Sequence, residues 1–380
     1  MNYIKTIDEI FSQFKGPKFS IIFWYGKEHT YGTGSEIVFT LTIEDEKTAK
    51  RLLTQGALGF GESYMEGKIK IEGDIESYLK LRYQIKHVKF SLRIILAIFI
   101  AKITSPWNRK QQIAQHYDLG NNFFKLFLDP ITMSYSAGYY KTGSEDLAFS
   151  QQNKLKLLCD WLDLPPNSYV LDLGSGWGGF SNYAAKNKNW NITGYTLSKE
   201  QLKYCTELIK KDNMESLVEF KYGDMMKLPL TKQFDGIIMI ESIEHVGERY
   251  LQQFFNQLTK IIKPGGSLVL QLTGRYKPRR VDQWTLKYVF PGGYLPTKDE
   301  LILASKEAGF STEEFRDGTS DYVKTMSEWI KNLENHKQDI EEKFGESFYR
   351  LWELWMHGAK VAFELEKMSL FRIHLKLPKK

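Results

Sequence analysis

Cysteines, long apolar runs and basic low-complexity tracts are all scarce in this 380-residue chain. Its two cysteines, Cys159 and Cys205, cannot form a disulfide framework and match no zinc spacing, which favours a reducing compartment and no bound metal. The apolar core at residues 94–101 is far shorter than the roughly 20 residues that cross a bilayer. Because the first ten residues contain Asp8 and Glu9 and no extended apolar segment, we expect no signal peptide.

The charge balance is mildly basic, with a formal net charge of +6. An excess of positive charge is consistent with solubility alone, with binding to an anionic membrane surface or with binding to nucleic acid. The lack of zinc fingers and arginine-rich tracts in the sequence argues against nucleic acid. Lys86, Lys89 and Arg93 recur at helical spacing within residues 86–103. This spacing predicts either an amphipathic helix at a membrane interface or a linker helix buried between domains.

The order of predicted elements divides the chain into two domains, residues 1–105 and residues 106–380. In the first domain, glycine-containing turns separate predicted strands at residues 19–24 and 37–43, and a predicted helix follows at residues 45–54. This pattern indicates a small α+β domain.

The second domain alternates predicted helices and strands, with a predicted turn at residues 264–266 before the last strand. The five predicted strands are residues 169–173, 191–197, 217–222, 234–241 and 267–273. Such alternation predicts a mostly parallel sheet with helices on both faces.

The most distinctive segment is the run VLDLGSGWGG at residues 170–179. An apolar strand ends near Asp172, and Gly174, Gly176 and Gly179 follow before a predicted helix. Because glycine lets a ligand approach the backbone closely, the segment predicts a nucleotide-type crevice at the carboxyl end of a parallel strand. The pattern alone does not separate a dinucleotide from S-adenosylmethionine.

The end of the second predicted strand favours S-adenosylmethionine. A dinucleotide site has an acidic residue about 20 residues after the glycines. Here residues 194–198 (GYTLS) offer hydroxyl groups and no carboxylate. Asp172 and Asp224 lie at the same predicted edge. Near the turn, carboxylate and hydroxyl groups suit the sulfonium cation and the amino acid head of the donor, and Asp224 could face the adenine. Asp172 could instead hydrogen-bond the glycine turn, and Asp224 could instead shape a turn of its own.

An ordered series of motifs resembles the cyclopropane-fatty-acid synthase family, which includes the mycolic acid cyclopropane synthases. The matching segments are residues 59–67, 116–125, 133–140, 172–179, 196–201, 244–247, 288–293 and 321–322. The resemblance implies an α/β fold: a Rossmann-like class I methyltransferase sheet with helices on both faces, preceded by a small α+β N-terminal domain. It also implies an S-adenosylmethionine-dependent methyltransferase.

The resemblance further implies which residues line the S-adenosylmethionine site. They are Tyr135, Ser136, Asp172, Gly174, Gly176, Trp177, Gly178, Thr196, Leu197, Gln201, Asp224 and Met225. In the family, a cis double bond of a lipid acyl chain attacks the sulfonium methyl group, and a base then removes a proton to close a ring. The resemblance implies bound bicarbonate as that base, which makes bicarbonate a second candidate cofactor.

The positions that hold bicarbonate in the family are the candidate catalytic residues here: Ala137, Glu244, Gln271, Thr273 and Tyr322. Ala137 stands where the family has cysteine and offers its backbone N–H. Gln271 stands where the family has histidine; its amide can donate to an anion but does not titrate near neutral pH. The product therefore stays open between a cyclopropane ring, a methyl branch and a methylene group.

The resulting hypothesis is a peripheral enzyme on the cytoplasmic face of the inner membrane that modifies unsaturated phospholipids. One basic cluster suits either phosphate headgroups or a solvated loop: Arg275, Lys277, Arg279 and Arg280. A second copy of the chain is a further candidate partner. The alternatives are a methyltransferase for a soluble small molecule or amine, a lipid-binding homologue with impaired catalysis and, last, a nicotinamide-dependent oxidoreductase.

Overall fold

The computed structural model describes residues 3–84, 120–229 and 233–379. These residues form two compact units, each of which collects separate stretches of the chain. The first unit contains the described residues up to 84 with residues 282–291 and 336–361, and the second contains residues 120–281, 292–335 and 362–379. The predicted boundary at residue 105 and the predicted helix with Lys86, Lys89 and Arg93 lie outside the described residues.

The first unit contains a four-stranded sheet in the order β2-β1-β3-β4. Its strands are β1 (Lys18–Ile22), β2 (Glu28–Tyr31), β3 (Ile37–Ile43) and β4 (Ile69–Gly73). The pair β1–β3 is parallel, and the other two pairs are antiparallel. Helices in this part of the chain are Tyr3–Phe11, Glu46–Gln55, Ala57–Met65 and Ile75–Gln84. These elements confirm the predicted small α+β region.

Local chemistry explains two features of this unit. Asp45 begins the helix Glu46–Gln55 because its carboxylate accepts a hydrogen bond from the backbone N–H of Thr48, 2.7 Å away. Gly61 permits close packing, since a Cβ at this position would lie 2.3 Å from Cδ1 of Trp284. The helix Gln283–Tyr288 therefore packs against the N-terminal residues of the same unit despite its distance in sequence.

The second unit contains a seven-stranded sheet in the order β10-β11-β9-β8-β5-β6-β7. Its strands are β5 (Tyr169–Leu173), β6 (Asn191–Thr196), β7 (Val218–Tyr222), β8 (Phe234–Ile240), β9 (Ile262–Gly274), β10 (Ser311–Asp317) and β11 (Ser369–Lys376). Strands β5 to β9 pair in parallel, and β10 and β11 are antiparallel additions at one edge. The predicted mostly parallel sheet is confirmed.

Helices cover both faces of this sheet, because consecutive strand residues point to opposite sides. Leu171 belongs to a core cluster with the helices Leu251–Ile261 and Lys298–Glu307. Its neighbour Val170 belongs to a second cluster, which contains residues of the helices Leu147–Leu162, Gly179–Lys188 and Lys199–Lys211. Within the three described ranges, every helix is too short or too polar to cross a membrane.

The prediction of a turn at residues 264–266 was wrong. These residues lie within β9, beside the point where its pairing with β8 changes register. Gly265 has a φ of 83°, a conformation that glycine adopts easily, and its N–H donates to the carbonyl of Leu377. The glycines therefore bend the strand locally while hydrogen bonding to a neighbouring segment continues.

The strand order creates a crevice beside β5. From β5 the chain adds β6 and β7 on one side, then returns to add β8 and β9 on the other. At such a switch point the loops after neighbouring strands diverge, which leaves room for a ligand at the carboxyl ends. The glycine turn predicted within residues 170–179 follows β5 at this edge and comprises residues 174–178 in the structure.

Candidate active site

The turn after β5 has a geometry that requires glycine. Gly174 and Gly176 have φ values of 80° and 53°. A Cβ on Gly174 would lie 2.4 Å from the Cβ of Ser242, whereas a Cβ on Gly176 would meet no atom within 4 Å. Gly174 thus allows the turn to pack against the segment after β8, and Gly176 leaves open space over the backbone.

Asp172 lies just before this turn, in β5, and Gly178 lies at its end. The Asp172 carboxylate is buried and accepts a hydrogen bond from Ser181 Oγ at 2.6 Å, which links β5 to the following helix. Burial raises the pKa of Asp172 to about 7. A Cβ on Gly178 would lie 2.8 Å from Phe220 and 3.1 Å from the sulfur of Cys205. Both residues therefore contact the protein interior at this turn, and neither contributes to its open side.

Polar groups line the ends of β6 and β7. Thr196 Oγ1 donates to Gln201 Oε1 at 2.7 Å, and Leu197 beside it is exposed. The N–H of Gly223 donates to the carbonyl of Thr196 at 3.0 Å, so the two strand ends are held together. Asp224 follows and accepts a hydrogen bond from the backbone N–H of Met226 at 2.9 Å.

Met225, next to Asp224, is buried in the core cluster on one face of the sheet. Asp224 itself is only partly buried. The two neighbours therefore differ in environment: the thioether packs into the core, and the carboxylate lies at the edge where β7 ends.

Aromatic side chains form the wall of the crevice. Trp177 Nε1 donates to Asn121 Oδ1 at 2.7 Å, and its ring lies 4.8 Å from the ring of Phe124. Tyr135 is 5.4 Å from Phe124 and stacks on Trp329 at 5.2 Å, measured between ring centroids. A single cleft is lined by Gly120, Asn121, Phe124, Tyr135, Trp177, Ser198, Glu200 and Gln201.

Ser136 is buried behind Tyr135 and is held by a neighbouring helix. Lys154 Nζ donates to Ser136 Oγ at 2.7 Å, and Gln151 Nε2 donates to its carbonyl at 2.7 Å. Lys154 is itself fully buried, and this burial lowers the pKa of its ammonium group to about 8. The backbone around Ala137 is therefore anchored from the side of the helix Leu147–Leu162.

Three of the five candidate catalytic residues contact one side chain that sequence reasoning did not single out, Glu241. The N–H of Ala137 donates to Glu241 Oε1 at 2.8 Å, and Gln271 Nε2 donates to the same oxygen at 3.0 Å. The hydroxyl of Tyr322 donates to Glu241 Oε2 at 2.6 Å. The predicted anion-binding donors thus already surround a carboxylate of this chain.

Glu241 has a backbone conformation that is uncommon outside glycine. Its φ is 50°, in the left-handed region. Its N–H nevertheless makes a backbone hydrogen bond of 2.6 Å to the carbonyl of Gln271. Glu241 is partly exposed, whereas Ala137, Gln271 and Tyr322 are buried. Burial of its carboxyl group raises the pKa of Glu241, and the bonds from Tyr322, Ala137 and Gln271 oppose that rise.

Glu244 and Thr273 form a second pair beside this cluster. The Thr273 N–H donates to Glu244 Oε1 at 2.6 Å. Within the described residues, Glu244 Oε2 is buried without a hydrogen-bond partner. Burial, with the nearby charge of Glu241, raises the pKa of Glu244 to about 8. A buried carboxyl oxygen without a partner is costly, and active sites are where such groups occur.

Arg372 holds Gln271 in place from behind. These residues are cross-strand partners in β11 and β9, and Arg372 Nε donates to Gln271 Oε1 at 2.8 Å. The guanidinium also donates to Asp321 Oδ2 and to the carbonyl of Gly138, both at 2.7 Å. Because Arg372 can only donate, it orients the Gln271 amide so that Nε2 faces Glu241.

Sequence reasoning missed Glu241, Arg372 and Lys154. One signal for Glu241 was present: it ends the predicted fourth strand, and an acidic residue at the carboxyl end of a parallel strand is often functional. Arg372 lies in a strand that is buried on both faces and Lys154 lies in a helix, and neither position carries a local signal. Of the predicted basic cluster, Arg275 is buried and bonds to the carbonyl of Arg279. Lys277, Arg279 and Arg280 are exposed.

The crevice fits S-adenosylmethionine in its chemistry. It combines an open glycine backbone at Gly176, an aromatic wall and polar groups at three neighbouring strand ends. A separate bicarbonate ion does not fit the anion pocket, by which we mean the space between the donors of Ala137, Gln271 and Tyr322. The donors of Ala137, Gln271 and Tyr322 that would hold it are bonded to Glu241.

Comparisons with known proteins agree with this geometry. The family model described as mycolic acid cyclopropane synthetase matches residues 104–373. A second model, described as a domain of unknown function, matches residues 6–91. Cyclopropane-fatty-acyl-phospholipid synthase of Escherichia coli (strain K12) is 33% identical over 343 residues, covering 88% of this chain and 86% of that protein.

Solved structures extend the similarity. A cyclopropane synthase from Mycobacterium tuberculosis aligns with a TM-score of 0.64 and 26% identity, covering 69% of this chain and 95% of that one. A mycolic acid cyclopropane synthase in complex with SAH and CTAB aligns with a TM-score of 0.63 and 25% identity, with the same coverage. SAH, S-adenosylhomocysteine, is what remains of S-adenosylmethionine after methyl transfer, so S-adenosylmethionine is the supported cofactor.

Proposed function

This chain belongs to the mycolic acid cyclopropane synthetase family of S-adenosylmethionine-dependent methyltransferases, and we propose that it alkylates the cis double bond of an unsaturated phospholipid acyl chain. The similarity to the Escherichia coli synthase supports this substrate class, since it spans both units of the chain. The product is a cyclopropane or methyl-modified lipid.

The observation that carries the proposal is the Glu241 carboxylate beside a cluster of aromatic rings. Glu241 bonds to Tyr322, and the Tyr322 ring stacks on Phe363 at 4.2 Å and meets Trp329 edge-on at 6.2 Å. Alkylation of an uncharged double bond leaves a positive charge on carbon. Aromatic faces and carboxylates both stabilise such a charge, and a dry site strengthens the effect.

In this proposal the glycine turn and the neighbouring strand ends bind the cofactor. When bound, S-adenosylmethionine supplies a methyl carbon on a positively charged sulfur. Gly176 lets the cofactor approach the backbone, and the Thr196–Gln201 pair and Asp224 offer polar groups to it. Trp177 and Tyr135 close the aromatic side and exclude water. Tyr135, together with Trp329, would also border the reacting carbon.

The balance of atoms restricts the product. Transfer of CH3 with loss of one proton adds CH2 to the lipid, which yields either a ring or an alkene, including a methylene group. A saturated methyl branch needs two further electrons and a proton from a separate reductant. We therefore expect this chain alone to give a ring or an unsaturated product.

Exposed positive charge supports presentation of the substrate at a membrane. Lys277, Arg279 and Arg280 are exposed after β9, whose carboxyl end also carries Gln271 and Thr273. Basic side chains of this kind attract phosphate headgroups on an anionic leaflet. We propose that the enzyme works as a peripheral protein on the cytoplasmic face of the inner membrane.

The test uses the purified full chain with methyl-labelled S-adenosylmethionine and vesicles of dioleoylphosphatidylglycerol. We expect label in the lipid extract and an added CH2 in the mass spectrum of the acyl chain. Vesicles with fully saturated acyl chains serve as the matched control and should stay unlabelled. Label in a soluble secondary amine but not in lipid would contradict the proposal and favour an amine methyltransferase.

A further inference from the structure

We propose that Glu241 is the general base of this enzyme and that its carboxylate takes the place of a separately bound bicarbonate. The proposal rests on the function argued above, because a base is needed only if alkylation of a double bond leaves a proton to be removed. It assigns a catalytic role to a residue outside the set that the family resemblance indicates.

The first support is the hydrogen-bond arrangement. Glu241 Oε1 accepts from Ala137 N–H at 2.8 Å and from Gln271 Nε2 at 3.0 Å, while Oε2 accepts from the Tyr322 hydroxyl at 2.6 Å. Bicarbonate and a side-chain carboxylate share the same planar pair of oxygens. Donors suited to one therefore suit the other, and both cannot occupy the pocket together.

The second support is the backbone of Glu241. A φ of 50° lies in the left-handed region, which is unfavourable for a residue with a side chain and easy for glycine. Such strain persists at functional sites when surrounding contacts enforce it. Here the conformation places the carboxylate among its three donors, so the strain accompanies a specific side-chain position.

The third support concerns Gln271. The bond from Arg372 Nε to Gln271 Oε1, 2.8 Å long, orients the amide so that it donates to Glu241. Glutamine remains a neutral donor across the physiological pH range. A built-in carboxylate needs such a fixed donor and needs no titrating partner, which accounts for glutamine at this position. Arg372 and Gln271 are positioning residues in this account.

The chemical step balances without any further reagent. The π electrons of the double bond form the new carbon–carbon bond to the methyl carbon, and the carbon–sulfur bond breaks with its electron pair on sulfur. A C–H bond then breaks, either on the transferred methyl carbon, which leads to the ring, or on a carbon next to the positive carbon, which leads to an alkene. Its proton passes to a Glu241 oxygen, and its electron pair closes the ring or forms a double bond. Glu241 later releases the proton to solvent.

The first experiment compares three proteins in buffer freed of carbon dioxide, with and without added bicarbonate. The wild type should be equally active in both. Glu241→Gln keeps the size of the side chain but cannot accept the proton, and its turnover should fall about 100-fold or more. Glu248→Gln, at an exposed glutamate in the same segment, is the matched control and should retain full activity.

The second experiment opens the pocket with Glu241→Gly, which removes the carboxylate and relieves the positive φ. This variant should lose activity without bicarbonate and regain at least part of it when bicarbonate is added. Independently of turnover, NMR line broadening of 13C-bicarbonate should show binding to Glu241→Gly and none to the wild type. Calorimetry with SAH should give the same affinity for all variants, which shows that the cofactor site remains folded.

The outcomes separate the two proposals. Undiminished turnover of Glu241→Gln, or a bicarbonate requirement in the wild type, would overturn the role of Glu241. Binding of 13C-bicarbonate by the wild type would also overturn it, as would the absence of binding to Glu241→Gly. If the wild type binds SAH but labels no lipid, the proposed function fails, while the 13C-bicarbonate comparison still decides whether Glu241 fills the anion pocket.

Discussion

Arg372 donates from Nε to Oε1 of Gln271, its direct partner across β11 and β9, at 2.8 Å. The same guanidinium holds Asp321, and the oriented Gln271 amide donates to Glu241. A buried arginine thus connects the antiparallel edge of the sheet to the candidate catalytic carboxylate. The arrangement is specific because arginine has only donors and each of its three nitrogens has a defined acceptor.

Gln271→Met should impair catalysis without weakening the binding of the cofactor. Methionine has a similar volume but cannot donate to Glu241, and hydrogen bonds to charged groups contribute roughly 1.5–3 kcal/mol. We expect kcat to fall about 10- to 100-fold, with KM for S-adenosylmethionine unchanged, as measured by initial-rate kinetics.

The pH profile of the same variant gives a second readout. The Gln271 bond lowers the pKa of Glu241, so its loss should raise that pKa and move the acidic limb of the kcat profile to higher pH. Tyr322, Glu244 and Lys154 also act on Glu241 and stay unchanged. An unmoved limb would mean that Gln271 does not tune this carboxylate.

Arg372→Met should destabilise the fold because it leaves Asp321 buried without its cation. Breaking a buried pair by removing one partner costs about 3–5 kcal/mol. Adding Asp321→Asn should recover part of that loss, since the amide carries no charge. Urea unfolding of the wild type, the single variant and the double variant measures the difference, and equal stability of single and double variants would contradict the assignment.

A comparison of Gly176→Ala with Gly174→Ala should distinguish an effect on SAH affinity from an effect on the free energy of unfolding. At Gly176 the added methyl meets open space, so the cost is the positive φ alone, about 1–2 kcal/mol. SAH affinity should nevertheless fall about tenfold or more, since the methyl enters the crevice. Full SAH affinity in Gly176→Ala would show that the cofactor does not approach this turn.

Gly174→Ala is the companion variant. Its Cβ would lie 2.4 Å from that of Ser242, so overpacking of about 1–3 kcal/mol adds to the φ cost. We expect a larger loss in the free energy of unfolding than for Gly176→Ala. Thermal or urea unfolding of both proteins in the absence of SAH makes the comparison.

Glu76 should make the first unit sensitive to acid. It lies 3.1 Å from His357 Nδ1 and 2.8 Å from Lys360 Nζ, and bonds to these partners hold its pKa at about 2 against the opposing effect of burial. A carboxyl group with a depressed folded-state pKa stabilises the protein above its unfolded-state pKa. That contribution is lost as pH falls from about 4.5 towards 2.

The matched variant is Glu76→Gln, which keeps the shape and removes the charge. At pH 7 the wild type should exceed it by about 1–2 kcal/mol in free energy of unfolding, after allowance for solvent screening. Near pH 2 the two proteins should converge. A difference that stays constant between these pH values would exclude the ion pairs as its cause.

The exposed basic residues after β9 should contribute to membrane binding. Changing Lys277, Arg279 and Arg280 together to glutamine should weaken sedimentation with anionic vesicles at least about tenfold, since each charge near the surface contributes about 1 kcal/mol. The control replaces Lys203, Lys210 and Lys211, which are also exposed and alter the net charge equally. Equal loss in both variants would assign the effect to net charge alone.

Much of the framework followed from local patterns. The strands near residues 169–173, 191–197, 217–222 and 234–241 were predicted to within a residue or two, because short segments rich in β-branched and aromatic residues alternate with helical segments. The glycine turn within residues 170–179 was predicted because glycine combines easy positive φ with an open backbone. The turn expected at residues 264–266 failed because tertiary pairing carried the strand through its glycines.

The sequence by itself therefore determined the α/β order, the glycine turn and the residue types available for chemistry. Only the tertiary structure decided that Ala137, Gln271 and Tyr322 converge on Glu241, with Arg372 behind them. The physical reason is that periodicity and turn chemistry act over a few neighbouring residues. Hydrogen bonds between residues more than 100 positions apart, such as Ala137 to Glu241, depend on the order in which the strands assemble.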